Sequence, residues 1–183
     1  VEAPPERIVV TAGGQHAILL SLMALAKPGD EVLVEELTYP GITDLASHLH
    51  LRLRTVAIDR EGLVPEALDE ACRAGKPTAL YCMPSLQNPT AALMSDQRRQ
   101  AIAMVALEHR LMVIEDDVYG FLAPDTKPLS SLLPEDQVFY ITSTSKSIVP
   151  GMRIGYLLAP ASAIERVSAS VLRTIVNAPP AMA

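Results

Sequence analysis

Several things that would announce a function are scarce or missing. Cysteine occurs twice in 183 residues, as Cys72 and Cys82. A chain of this length buries enough surface to do without a covalent staple, and both cysteines lie in apolar stretches. They read as buried free thiols in a reducing compartment. No apolar run approaches the roughly 20 residues of a membrane span, and no secretory signal opens the chain. The formal charge is −6 and no basic block interrupts it, so this segment has no electrostatic footprint for nucleic acid or an anionic membrane. Internal repeats and low-complexity stretches are missing too. The expectation is one soluble, cytoplasmic globular domain. Almost nothing precedes the first strand pattern and the chain stops soon after the last helical one, so it reads as one domain of a longer protein. Lysine is also scarce: Lys27, Lys76 and Lys127 each precede a proline and read as turn residues, while Lys146 stands apart with no carboxylate within eight residues on either side.

What is present is an alternation of short β-branched runs with longer helical patterns, the sequence sign of a layered α/β domain. Seven strands are expected, over Arg7–Thr11, Glu31–Glu35, Leu51–Ile58, Thr78–Met83, Leu111–Glu115, Val138–Thr142 and Arg153–Ala159. Between them "GQHAILLSLMALAKPGD" has helical apolar spacing and is stopped by Pro28-Gly29. "YPGITDLASHLH", "VPEALDEACRAG" and "SDQRRQAIAMVALEHR" read the same way, the last with Ser95 as N-cap. A final helix is expected over Ala161–Asn177, broken by Pro179-Pro180. Nearly continuous apolar runs such as "LMVI" fit strands covered on both faces. The fold class is therefore α/β, three-layered α/β/α, around a mostly parallel seven-stranded sheet. In such sheets ligands sit beyond the carboxyl ends of the strands, so the chemistry is sought where each strand stops.

The first strand runs into "TAGGQ" and opens a helix. Gly13 and Gly14 allow a tight turn and close backbone approach, and the free N–H groups of the new helix, with Gln15, favour an anion. His16, one residue on, is expected at the surface or in a supporting role. The second strand runs into "VEELTYPG", where the ring of Tyr39 either stacks on a planar ligand or simply packs. The fourth ends in "MPSLQNPT", where Asn88 precedes a proline and is pushed toward an extended conformation. The fifth delivers Glu115, Asp116 and Asp117, costly at the end of an apolar run unless one of them meets a cation or a metal; no histidine supports a metal there, and Tyr119 adds a phenol. The sixth ends in "STSKS": Ser143, Thr144, Ser145 and Ser147 suit anionic oxygens, and Arg153 follows close enough to return a guanidinium. Lys146 among them is either a phosphate-binding or exposed lysine, or a nucleophilic amine. A Schiff-base lysine must give up its proton near neutrality, which burial and a neighbouring cation favour and an adjacent carboxylate opposes.

Taken in order, a glycine turn, a Tyr, an Asn-Pro, an Asp-x-x-Tyr and a Ser-x-x-Lys with Arg seven residues on resemble the large domain of the fold-type I pyridoxal-phosphate enzymes, the class I/II aminotransferases. The resemblance covers about residues 6 to 180. It implies pyridoxal 5'-phosphate (PLP) as cofactor, with Lys146 as the Schiff-base lysine. Asp116 would pair with the pyridine nitrogen, Tyr119 and Asn88 would hydrogen-bond the ring hydroxyl, and Tyr39 would stack on the ring. Gly14, Gln15, Ser143 and Arg153 would hold the phosphate, helped by Gly13 and Ser145. "TAGGQHAI", "TYPG" and "LQNPT" resemble most closely the aminotransferase-like domains of MocR-type regulators of the GntR family, where this fold follows a winged-helix domain and senses an amino compound. Two local departures are Ala91 where glycine commonly follows the threonine, and Thr144 where an aromatic is frequent. The resemblance further implies a homodimeric full-length protein acting on or sensing an amino acid or amine. This segment would make no direct contact with nucleic acid, and an N-terminal segment and a small C-terminal domain would lie outside it.

Overall fold

The computed structural model describes residues 3–175. Nine strands are present: β1 (Ile8–Thr11), β2 (Glu31–Glu35), β3 (Arg52–Val56), β4 (Ile58–Asp59), β5 (Gly62–Leu63), β6 (Ala79–Cys82), β7 (Met112–Asp116), β8 (Val138–Ser143) and β9 (Gly155–Leu158). Six helices accompany them: α1 (Gly14–Leu25), α2 (Pro40–His48), α3 (Pro65–Ala74), α4 (Asp96–Glu108), the single turn α5 (Thr144–Ser147) and α6 (Ile164–Thr174). Seven strands form one sheet in the order β1-β9-β8-β7-β6-β2-β3. Pairing is parallel throughout except on the two sides of β9. Each expected strand is therefore found. The third is shorter than expected, because the chain breaks at Ala57 and continues as the separate hairpin β4-β5.

Strand alternation sorts the core into two layers, since successive side chains point to opposite faces. Val32, Val34, Ala79, Tyr81, Ile114, Phe139 and Ile141 face one cluster with Ala17, Ile18 and Leu22 of α1, Ile42 and Ala46 of α2, and Val167 of α6. Their neighbours Leu33, Leu80, Cys82, Val113 and Val138 face the other, with Leu68 and Cys72 of α3 and Ile102, Ala103 and Ala106 of α4. Both faces are covered, which is why the central strands read as apolar runs without alternation.

The helix boundaries have local causes. Ser95 caps α4 by accepting from the Arg98 N–H at 3.3 Å, and α1 ends where Ala26 donates back to Leu22 before the Lys27-Pro28-Gly29 turn. The last helix is preceded by a 3-10 turn at Ala161–Ala163; Pro179-Pro180 lie outside the described residues. Cys72 and Cys82 are both buried and free, and burial raises the thiol of Cys72 to about 11 and that of Cys82 well above its ordinary value. No helix among the described residues is long and apolar enough to cross a membrane.

Candidate functional site

β1, β2, β6, β7 and β8 end on the same edge of the sheet, and their exits surround a cavity of about 200 Å³. Its walls include Gly14 and Gln15 at the start of α1, Tyr39 after β2, and Asn88 after β6. Asp116 and Tyr119 come from β7 and its exit, and Ser143, Ser145 and Lys146 from β8 and α5. Arg153 completes the ring. Being antiparallel, β9 begins where its neighbours end, so a residue just before this strand reaches the same edge. Arg153 is not the first residue of the strand, as expected from the sequence. It sits two residues earlier with a left-handed backbone, φ +51°, and its guanidinium donates to the Ala12 carbonyl at 3.3 Å. Gly13 does not line the cavity. It makes the turn behind it, at φ +89°, and a Cβ there would come within 2.7 Å of the Arg153 guanidinium.

The three acids after the fifth strand run have three different fates, set by the pleat. Glu115 points to the α4 face, where its oxygens accept from the Leu129 and Ser130 N–H groups at 2.9 and 2.7 Å and lie 3.8 Å from the buried Arg99. Asp117, just past the strand, accepts from the Tyr140 hydroxyl at 2.6 Å. Asp116 alone faces the cavity. It is 3% exposed and accepts from the Tyr81 hydroxyl at 2.7 Å and weakly from the Val118 N–H at 3.4 Å. Burial raises its carboxyl to about 6, against the lowering effect of Tyr81. A carboxylate held this way has every reason to pair with a cationic ligand atom. Tyr81 was not foreseen, because nothing in "ALYCM" marks which face a strand tyrosine takes; only the register of β6 against β7 reveals it.

The other side of the cavity is built for an anion. The first amides of α1 have no carbonyl within the helix to bond, and they open where Gly14 and Gln15 line the wall. The Ser145 hydroxyl is buried with no hydrogen-bond partner among the described residues, a state costing about 1–3 kcal/mol unless a ligand completes it. Ser143 is differently employed. It caps α5, its hydroxyl accepting from the Ser145 N–H at 3.1 Å and donating to the Ile154 carbonyl at 2.9 Å. Arg153 forms no ion pair among the described residues.

Lys146 is exposed to the cavity and solvent, because the chain turns into α5 immediately after β8. Its Nζ lies 5.7 Å from the centroid of the Tyr119 ring, within cation–π range, and it has no carboxylate partner among the described residues. Tyr39 caps the start of α2, and its ring lies so close over Gly41 that a Cβ at that position would overlap it. His16 is not at the surface. It is buried, its Nδ1 accepts from the Ala12 N–H at 3.1 Å, and its Nε2 meets the Thr174 hydroxyl at 2.7 Å, so it braces the Gly13 turn from behind. Ile18, Met83, Val118 and Pro150 supply the apolar part of the wall, positions that carry no sequence signal beyond hydrophobicity.

The sequence pattern of the aminotransferase class I and II family matches residues 1–181. The chain belongs to this family. Among relatives it is 33% identical over 182 residues to the uncharacterized HTH-type transcriptional regulator YdeF of Bacillus subtilis (strain 168), covering 100% of this chain and 39% of that protein. It is 38% identical over 171 residues to the aminotransferase swnA of Metarhizium robertsii, covering 85% of this chain and 34% of that one. It thus spans between a third and two fifths of these relatives, and the family holds both regulators and aminotransferases. Among solved structures it superposes on a kynurenine aminotransferase of Pyrococcus horikoshii, determined in complex with PMP, with a TM-score of 0.86 and 29% identity over 93% of this chain and 44% of the other. The likeness carries the fold-type I architecture, with its mostly parallel seven-stranded sheet, to the chain described here.

Proposed function

We propose that this chain is the PLP-binding large domain of a longer protein and that Lys146 is its Schiff-base lysine. The observation that carries the reading is the convergence on one cavity of an anion-seeking end and a buried carboxylate, with an amine free of acid partners between them. The orphaned Ser145 hydroxyl, the α1 amides and Arg153 fit a phosphate ester. Asp116, raised to about 6 by burial, fits a protonated ring nitrogen. Tyr39 offers a flat face and Asn88 with Tyr119 offers polar groups to the ring's edge. Gly13 shapes the turn, and Ser143 holds α5 so that Ser145 faces the phosphate.

When bound, PLP supplies an electron sink for a bond broken at the substrate Cα, and Asp116 keeps that sink charged. Lys146 would be the amine that holds the cofactor through its aldehyde, and its free amine would take and return a proton at the substrate Cα. The ligand is an amino acid or amine. We place the domain as the effector module of a MocR/GntR-type regulator, supported by the match of this whole chain to 39% of an HTH-type regulator, acting as a cytoplasmic homodimer. The two buried free thiols and the exposed Phe121, Leu122, Ile148 and Val149 on segments flanking the cavity support compartment and association respectively. The second reading, a 2-amino-acid:2-oxo-acid aminotransferase, is favoured by the 38% identity to a protein named as an aminotransferase. The same residues serve both.

The test is an absorbance titration of the chain with PLP. A saturable new band is expected for the unaltered chain and its loss in Lys146→Ala; an identical band in that variant would remove Lys146 from the role.

A further inference from the structure

Gln87 lies one residue before Asn88, is 2% exposed, and has every polar atom of its side chain committed. Its Nε2 donates to the Leu37 carbonyl at 2.5 Å and to Glu35 Oε2 at 3.3 Å. Its Oε1 accepts from both the Thr90 N–H at 2.9 Å and the Thr90 hydroxyl at 2.7 Å. This orientation is forced, because a main-chain carbonyl only accepts and a main-chain N–H only donates. The main chain of Gln87 adds two bonds across the turn, to the Ala92 carbonyl and from the Ala91 N–H.

The partner is as unusual as the glutamine. Glu35 ends β2 fully buried, accepts also from the Met83 N–H at 3.2 Å, and leaves Oε1 without a partner. No cation pairs with it among the described residues. Burial raises its carboxyl to about 7, the mark of a group placed at a cost to stability; an apolar residue would fill this space more favourably. The loop also has ties that do not involve the pair. At its base Arg99 donates to the Pro84 and Met94 carbonyls, and Met94 N–H donates to Pro84. What Glu35 and Gln87 add is a tie between the segment that leads from β2 to Tyr39 and the loop that carries Asn88, two parts of the cavity wall.

We propose that Glu35 and Gln87 form a clamp across the site, and that Gln87 is a positioning residue that fixes the Tyr39 side against the Asn88 side so that a planar ring fits between them. This inference rests on the PLP reading above. The test is equilibrium PLP titration of the unaltered chain, Gln87→Glu, Gln87→Met, and the double variant Gln87→Glu with Glu35→Gln, alongside thermal melts of the free proteins. Gln87→Glu removes the donor and sets two carboxylates together; the double variant returns a donor–acceptor pair with its direction reversed. Gln87→Met removes the amide with no added charge and carries the test if Gln87→Glu folds poorly. Affinity is expected to fall about tenfold in each single variant and to recover at least about threefold in the double variant relative to Gln87→Glu. Single variants that bind within about twofold of the unaltered chain, or a double variant no better than Gln87→Glu, would overturn the clamp while leaving the PLP reading intact. An unaltered chain that takes up no PLP would overturn that reading, and the clamp with it.

Discussion

Asp116 shows how far one side chain is set by its neighbours. The Asp-x-x-Tyr resemblance singled it out among three consecutive acids, but the residues alone did not, because which of them faces the ligand depends on where β7 stops alternating. Parity along the strand sends Glu115 to Arg99 and leaves Asp116 on the α1 face with Tyr81. In the free protein this placement is unfavourable. As pH rises past the ordinary aspartate value of 3.8, the unfolded chain ionises while the folded one waits until about 6, so stability is lost across that interval and the loss is complete above it. Asp116→Asn removes the burden and keeps an acceptor for Tyr81. Thermal melts of the free variant should therefore show a gain of about 1–3 kcal/mol near pH 7.5 that vanishes below about pH 4, together with weaker PLP binding. A variant no more stable than the parent at either pH would mean that Asp116 is not held at a cost.

Elements were easier to read than single residues. Short β-branched runs announced the seven strands, those at the centre as continuous apolar runs because both sheet faces are covered, and Ser95 announced the start of α4. The hairpin of β4 and β5 was missed because two-residue strands carry no periodicity to detect. The reversal of β9 was also hidden, since an apolar run reads alike in either direction, and with it the reason Arg153 reaches the site. That reversal packs the start of β9 onto the glycine turn: a Cβ on Gly155 would meet the Gly13 carbonyl carbon at 2.6 Å and the Thr11 hydroxyl at 2.6 Å. Backbone cannot yield as a side-chain tip can. Gly155→Ala should cost about 1–3 kcal/mol in urea unfolding and loosen PLP binding by shifting the turn. A variant that unfolds with the parent would show that β9 and the turn are not in firm contact.

At the scale of the whole molecule, three fully buried acids dominate the pH response. Glu35 and Glu115 are raised to about 7 and Asp116 to about 6, each chiefly by burial. All three ionise in the unfolded chain first, so the free protein should lose stability steadily as pH rises from about 4.5 to about 7. His16, lowered by burial, acts in the opposite sense below its ordinary value of 6.5, but it is one group against three. Chemical unfolding of the free chain across this range checks the sign, and a midpoint that climbs toward neutrality would refute it. The central claim concerns Lys146, and the chain's poverty in lysine makes it directly measurable. With PLP bound and reduced by borohydride, peptide mass mapping has only Lys27, Lys76, Lys127 and Lys146 to choose among. The account predicts a single pyridoxyl group, on Lys146; label spread over the proline-preceding lysines, or none on Lys146, would contradict it.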